Sequence, residues 1–242
     1  MLLSAAETMT FSANNGDSRF PVTDFLFDAG RGNVKYAALD IGGWFDQTQV
    51  LISANRLGEP DTAKREFVIN LASDEVENAP KWEPDGDSFP FDMAHLPPLV
   101  VGPFGSTYAP LMMAAQMNEA QANDDADESA DLPPGADRLD RFSIWLGTEV
   151  FGSDGELGRL GDILLDPAKM ELTHFVVETG GILSTQEHVL PYQTLRHMAK
   201  GDTHLVLSTS KAAVEKSPKP KDIKALDQGS IDALRLHYGL PM

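Results

Sequence analysis

Cysteine is absent from this 242-residue sequence, and its absence removes several kinds of site at once. Without thiols there is no disulfide framework, no thiol nucleophile and no thiolate metal site. Long apolar runs are also missing, since none approaches the roughly 18 residues of a membrane-spanning helix. The opening stretch, MLLSAAETMTF, lacks the basic residues of a signal peptide. We therefore expect a cytoplasmic protein with no direct membrane insertion.

Basic residues are scarce, with 19 Lys and Arg against 37 Asp and Glu, giving a net charge of −18. Residues 81–140 alone carry 12 acidic and two basic side chains, which is −10 of that total. So acidic a surface repels phosphate backbones and anionic lipids. Nucleic acid is therefore not expected as a partner, and the simplest role of the acidic residues is to keep the protein soluble.

The sequence contains a distant internal repeat. The stretch Leu160–Pro191 aligns with Val22–Ser53 at one constant offset and without a gap. The match continues at the same offset to Pro80 and Pro218, and strand faces, turn glycines and both terminal prolines coincide. Repetition at a fixed spacing indicates two copies of one structural unit. Residues that this alignment pairs are called equivalent below.

Each copy has the pattern of a small β domain, with short period-2 stretches separated by glycine-rich turns. We predict a mainly β fold of two tandem small β-barrels, with a short helix at the end of each copy and a C-terminal helix. The short helices are expected at Ser73–Glu77 and Lys211–Lys216, and the C-terminal helix is expected to be capped by Ser230. The domain boundaries are copy 1 at 1–80, a linker at 81–140, copy 2 at 141–218 and a tail at 219–242.

The linker loses all periodicity because prolines and glycines interrupt it throughout. One short helix is expected at Leu111–Ala122, where apolar residues form a narrow stripe. The following stretch, NDDADESAD at 123–131, is too acidic to collapse and is typical of a flexible linker. Its alternating aspartates lack the glycine and glutamate of a calcium loop.

Several motifs resemble those of the PRC-barrel family. They are the pattern G-x-x-V-F-x-x-D-G-E-x-G-x-x-x-D-x-L-x-D in Gly147–Asp166, an apolar strand ending in ETGG, and HVLPYQTL. Copy 1 is similar through DFLFD, YAALDIGGW and VLISANRL, and the terminal HYGLP resembles tandem bacterial members. The resemblance covers about 140 of the 242 residues. It implies the barrel fold of the cytoplasmic domain of the photosynthetic reaction-centre H subunit and of RimM-type ribosome maturation factors, and it implies docking modules rather than catalysts.

Paired aspartates occupy equivalent places in the two copies: Asp24 and Asp28 in copy 1, Asp162 and Asp166 in copy 2. Partners four residues apart on a strand lie about 13 Å apart at about 3.3 Å per residue, which is too far for a shared-proton pair. We interpret them as a solvated face and a turn-capping position. No catalytic residue is predicted.

Three histidines, His174, His188 and His204, fall on predicted strands of copy 2. A metal site there is an open alternative only if they converge, because no zinc-binding spacing such as H-E-x-x-H occurs. The Gly-Gly pairs that follow two strands are turns, since no helix start follows to bind phosphate. We predict no metal, no cofactor and no cofactor-binding residue.

Bulky apolar residues follow both Gly-Gly turns: Trp44 and Phe45 in copy 1, Ile182 and Leu183 in copy 2. Solvent-facing turn residues are usually polar, so these four form the candidate interface. They are expected to join the two barrels as an intramolecular pseudo-dimer, to bind a protein partner or to support a homo-oligomer. The other interpretation is that each tip folds back onto its own barrel.

Together these features favour a non-enzymatic adaptor or scaffold that associates with an unidentified protein partner. One alternative is a small-ligand or metal-binding protein that uses the copy-2 histidines or the cleft between the barrels. A further alternative, an assembly factor for a photosynthetic or ribosomal complex, rests on the family resemblance alone.

Overall fold

A computed structural model describes residues 2–42, 48–79, 81–82, 139–180, 185–199 and 203–241. Strands make up 47% and helices 20% of these residues, so the predicted mainly β class is confirmed. The predicted short helices at the two equivalent positions are present, at Ser73–Glu77 and Lys211–Glu215.

The strands in the described ranges are short except for two long hairpins. In chain order they are β1 Leu3–Ser4, β2 Ser12–Asn14, β3 Arg19–Asp28, β4 Asn33–Asp40, β5 Gln49–Ser53, β6 Leu57–Asp61, β7 Glu66–Ile69, β8 Lys81–Trp82, β9 Leu139–Arg141, β10 Glu149–Gly152, β11 Gly155–Asp166, β12 Glu171–Thr179, β13 Gln186–Pro191, β14 Leu195–Met198 and β15 His204–Leu207. The helices are α1 Ala5–Thr8, α2 Ser73–Glu77, α3 Phe142–Trp145, α4 Lys211–Glu215 and α5 Gln228–His237.

The strands join into one connected sheet rather than two separate closed barrels. Its main order is β14-β15-β10-β11-β12-β4-β3-β2-β7-β6, and β1, β5, β8, β9 and β13 branch from it. Within the described ranges the hydrogen bonding does not close into a ring. In the second half of the chain, β13 continues into β14 through the 3-10 turn Tyr192–Thr194, but the two strands do not pair with each other.

The same strand register recurs in the first half (residues 2–82) and the second half (residues 139–241). Asp24 pairs with Ala38 in β3 and β4, and Asp162 pairs with Val176 in β11 and β12. The members of the second pair are the equivalents of those of the first. Both hairpins also break register at equivalent places, once next to these aspartates and once further along the strand.

The first strand of each half pairs with a strand of the other half. Strand β1 pairs antiparallel with β11, where Leu3 lies opposite Leu165. Strand β9 pairs antiparallel with β3, where Asp140 lies opposite Phe27. We call the segments 3–8 and 139–145 the exchanged arms, because each crosses from its own half to the other.

A third contact joins the halves at the start of β4 and β12. Asn33 lies opposite Glu171, its own equivalent in the second half. Two reciprocal main-chain bonds flank this pair, Val34 N to Met170 O at 2.8 Å and Leu172 N to Gly32 O at 2.7 Å. The arrangement is that of a local two-fold axis passing between Asn33 and Glu171.

The main core runs without interruption through both halves. Phe142 and Trp145 of the second arm are fully buried against Phe27, with ring centroids 5.3 Å and 4.8 Å away. Trp145 also lies 6.2 Å from Phe175 of β12. Burial of aromatic rings is a large source of stability, and here it depends on both halves together.

The outer face of the second-half hairpin is covered by the C-terminal segment. Leu164, Val176 and Val189 pack there against Leu234 of α5. The predicted N-cap of this helix, Ser230, was wrong. Asp227 caps it instead, because its carboxylate accepts the Ser230 main-chain N–H at 2.7 Å.

Candidate functional site

The four residues of the candidate interface, Trp44, Phe45, Ile182 and Leu183, lie outside the described residues. The helix expected at 111–122 and the acidic stretch 123–131 also lie outside them. The strands that lead into both tips are described, up to Gly42 and Gly180. The first turn begins with an Asp40 carboxylate that accepts the Gly42 N–H at 2.9 Å, and Gly180 has a positive φ of 95°.

The interpretation of Asp24 as a solvated residue is wrong, because its side chain is only 4% exposed. The main-chain N–H groups of Phe25, at 2.8 Å, and Ser143, at 3.2 Å, donate to its carboxylate, as does the Ser143 hydroxyl. Burial raises the pKa of Asp24, and these hydrogen bonds together with nearby Arg141 oppose that shift. Asp24 therefore anchors the second exchanged arm rather than facing water.

Asp162 has the equivalent role in the other direction. Its carboxylate accepts the main-chain N–H of Ala6, in the first arm, at 3.1 Å and that of Ile163 at 2.8 Å. The expectation of turn capping holds for the other two aspartates: Asp28 accepts from Arg31 N at 3.1 Å and Asp166 from Ala168 N at 3.0 Å. All four carboxylates are thus explained by the fold.

The three copy-2 histidines do not converge. His174 lies on the face of β12 that α5 covers, whereas His188 pairs with Val177 and lies on the core side of β13. His204 stacks edge-on against Phe151, with ring centroids 4.8 Å apart. No group of three or more His, Asp or Glu side chains that could hold a metal ion occurs in the described part of the chain.

A cavity of about 380 Å³ lies beside His188. Its apolar wall is formed by Leu157 and Val214, which are almost fully buried. The other described residues that line it are polar or glycine: Thr179, Gly180, Gln186, His188, Lys211 and Glu215. This volume is typical of a site for a small molecule.

His188 is 4% exposed, and its environment disfavours the charged imidazolium. Burial lowers the pKa of His188, and nearby Lys219 lowers it further, while Glu215 and the main chain of Val214 act in the opposite direction. Its Nε2 lies 3.1 Å from the Thr179 hydroxyl. Its Nδ1 is buried and makes no hydrogen bond within the described structure.

The sequence pattern singles out His188 but not the lysines around it. Five lysines fall within residues 211–224 against two acidic residues, the reverse of the balance in the whole chain. Lys211 lines the cavity, and the Lys219 ammonium donates to the Gln186 side chain at its rim, at 3.0 Å. The local excess of lysine was the available signal, but only the fold shows that it borders a cavity.

Comparison with models of protein families gave no match, and a search of curated proteins likewise found none. None of the helices in the described ranges has both the length and the apolar character needed to cross a membrane.

Proposed function

We propose that the chain is a non-enzymatic adaptor built from two tandem copies of a PRC-like β unit, and that it presents one docking tip from each copy. The tips are Trp44-Phe45 and Ile182-Leu183. The single observation that carries this proposal is that the two hairpins share one strand register and break it at equivalent places.

The shared register supports common descent of the copies. Inheritance of one unit explains why residue pairs, register breaks and turn positions recur at equivalent places in two hairpins. The PRC-like motifs fall on these same strands, so the family resemblance and the repeat concern the same unit. Each unit is then an opened barrel that is completed by an arm of the other.

The direction of the hairpins supports a role in docking. Strands β4 and β12 are antiparallel and meet only at their first residues, Asn33 and Glu171. From there the two strands run in opposite directions, so the chain leads away from this contact both towards Gly42 and towards Gly180. This geometry favours two separate contacts with partners over a contact between the tips within one chain.

The test is affinity purification of the full chain from its native host, with wild type compared against Trp44→Asp, Ile182→Asp and the double variant. We expect each single variant to weaken the capture of one defined protein and the double variant to abolish it. Binding is then measured with the purified partner.

Val68→Asp is the matched control, since Val68 is an exposed strand residue, 60% accessible, remote in sequence from both tips. It should leave capture and affinity unchanged. If the double variant keeps the wild-type melting temperature and the same bound proteins at the same affinity, the docking role of the tips is wrong.

A further inference from the structure

We propose that the cavity beside His188 binds a small organic anion whose carboxylate or phosphate head lies at the lysine rim and whose short apolar body packs on Leu157 and Val214. This proposal does not rest on the adaptor role of the hairpin tips. Eight residues of the described ranges line the cavity.

The wall and the rim divide the cavity into an apolar and a polar side. Leu157 is 4% and Val214 1% exposed, and together they offer a surface for a few methylene groups. Across from them, the Thr179 hydroxyl, the Gln186 amide and the His188 ring carry hydrogen-bonding groups. A ligand with a short hydrocarbon part and a polar head matches this division.

The unused hydrogen-bonding capacity lies on His188. A buried polar atom without a partner costs free energy, so such atoms are rare in folded proteins. Its Nδ1 is in that state while Nε2 is engaged with Thr179. The main chain of Val214 acts on the ring as a hydrogen-bonding group and raises the pKa of His188, but its geometry falls short of a hydrogen bond to Nδ1. The His188 ring thus lines the cavity with a nitrogen that no group of the described structure fully satisfies, and a ligand atom would bind it once the ring turns towards the cavity.

Charge selects an anion over a cation. Lys211 lines the cavity and Lys219 is held at its rim by Gln186, whereas Glu215 is the one acidic residue among the described residues that line it. The head group is therefore expected on the lysine side, away from Glu215. In a chain of net charge −18, this basic border is a local exception.

The first half shows that the fold does not require these polar groups. At the equivalent positions of the first half, Val50 replaces His188, Ile41 replaces Thr179 and Ser73 replaces Lys211. The register supports the first comparison directly, since Leu39 pairs with Val50 and Val177 with His188. The same backbone thus holds an apolar residue where the second half has a buried imidazole.

The experiment follows backbone amide NMR shifts of the full-length protein at constant ionic strength. The probes are sodium butyrate, inorganic phosphate and butylammonium chloride. We expect saturable shifts at Thr179, Gly180 and His188 with butyrate, phosphate or both, which also identifies the preferred head group. Butylammonium has the same apolar body with the opposite charge and should give none.

Two variants separate the charge of the lysine rim from the hydrogen bond of His188. Replacing both rim lysines, Lys211→Gln with Lys219→Gln, should raise Kd about tenfold, and His188→Val about threefold. Lys35→Gln, a change at an exposed lysine on β4, should leave Kd unchanged. Because both rim lysines are exposed, their replacement tests the site even if His188→Val disturbs folding.

The proposal is overturned by any one of three results. The first is the absence of saturable shifts with both anions at about 50 mM, well above the weak affinity of about 1–10 mM expected for so small a ligand. The second is an equal response to butylammonium. The third is an unchanged Kd in the double lysine variant.

Discussion

Asp24 shows how a single buried carboxylate joins the two halves of this protein. Its oxygens accept two main-chain N–H groups, one from its own strand and one from the second exchanged arm. The burial that raises its pKa is thus offset by hydrogen bonds that only this fold provides.

Replacing Asp24 by Ala should lower the free energy of unfolding by about 2–4 kcal/mol, since each buried donor left without a partner costs about 1–3 kcal/mol. Asp24→Asn keeps one acceptor oxygen and should cost about 1 kcal/mol. Urea unfolding monitored by tryptophan fluorescence measures both. Asp162→Ala is the matched control, because Asp162 is only half-buried and water can replace its oxygens. Equal losses for Asp24→Ala and Asp162→Ala would contradict this account.

His174 gives the protein a pH-dependent stability. Burial, with a smaller contribution from Arg235 of α5, lowers the pKa of His174 to about 4, against about 6.5 for a free histidine. A base whose folded pKa is depressed binds its proton more readily in the unfolded state. The contribution of His174 to stability is therefore complete above its pKa in the unfolded state, about 6.5. It is lost as the pH falls towards its pKa in the folded state, about 4.

Between pH 7 and pH 5, this linkage should remove about 2 kcal/mol from the free energy of unfolding. Carboxylates also titrate in acid, so the quantity to measure is the difference between wild type and His174→Tyr, which introduces the residue found at the equivalent Tyr36. Over this pH range the variant should lose about 2 kcal/mol less stability than the wild type, because the contribution of the imidazole is gone. His197→Gln, at an exposed histidine, should follow the wild type. A variant curve parallel to the wild-type curve would refute the assignment.

At the scale of elements, the long hairpins were predictable and the exchanged arms were not. Strands such as Glu171–Thr179 and Gln186–Pro191 carry the period-2 pattern from which short strands were predicted in each copy. The arms contain strands of two and three residues and helices of four, too short to show any period. Their partner strands also lie in the opposite half of the chain, so no local pattern could reveal them.

The same limit applies to the candidate site. His188 was recognisable as an unusual residue, because copy 1 has Val50 in its place. Its neighbours in the cavity come from β11, β12, β13 and α4, and only tertiary packing assembles them. Asp24 was misassigned for a similar reason, since the arm that buries it belongs to the other half of the chain.

The contact between β4 and β12 offers a direct test of how the halves meet. Asn33 and Glu171 face each other as a non-hydrogen-bonded antiparallel pair, for which Cα atoms lie about 4.5 Å apart, within disulfide range. Because the chain has no cysteine, Asn33→Cys with Glu171→Cys should form one defined disulfide under mild oxidation. Mass spectrometry after proteolysis identifies the cross-linked peptide. Lys35→Cys with Glu187→Cys, two exposed strand positions that do not pair, should stay reduced.

At the scale of the whole molecule, the folded structure depends on contacts between the two halves. Within the described ranges, three strand contacts cross between them: β1 with β11, β9 with β3 and β4 with β12. The main core also contains aromatic side chains from both halves. Removing one half would therefore expose strand edges and apolar rings of the other, so the two should unfold as one cooperative unit.

Cutting the chain between the halves should consequently leave them together. A specific protease site inserted after Pro110 lies outside every described element, and its cleavage yields two fragments, each with its own arm. We expect both to elute from a gel-filtration column as one complex of the size of the uncut protein. About 6 M urea should separate them, because it unfolds most small domains. Two independently eluting, folded fragments in native buffer would show that the arms and the β4–β12 contact do not hold the halves together.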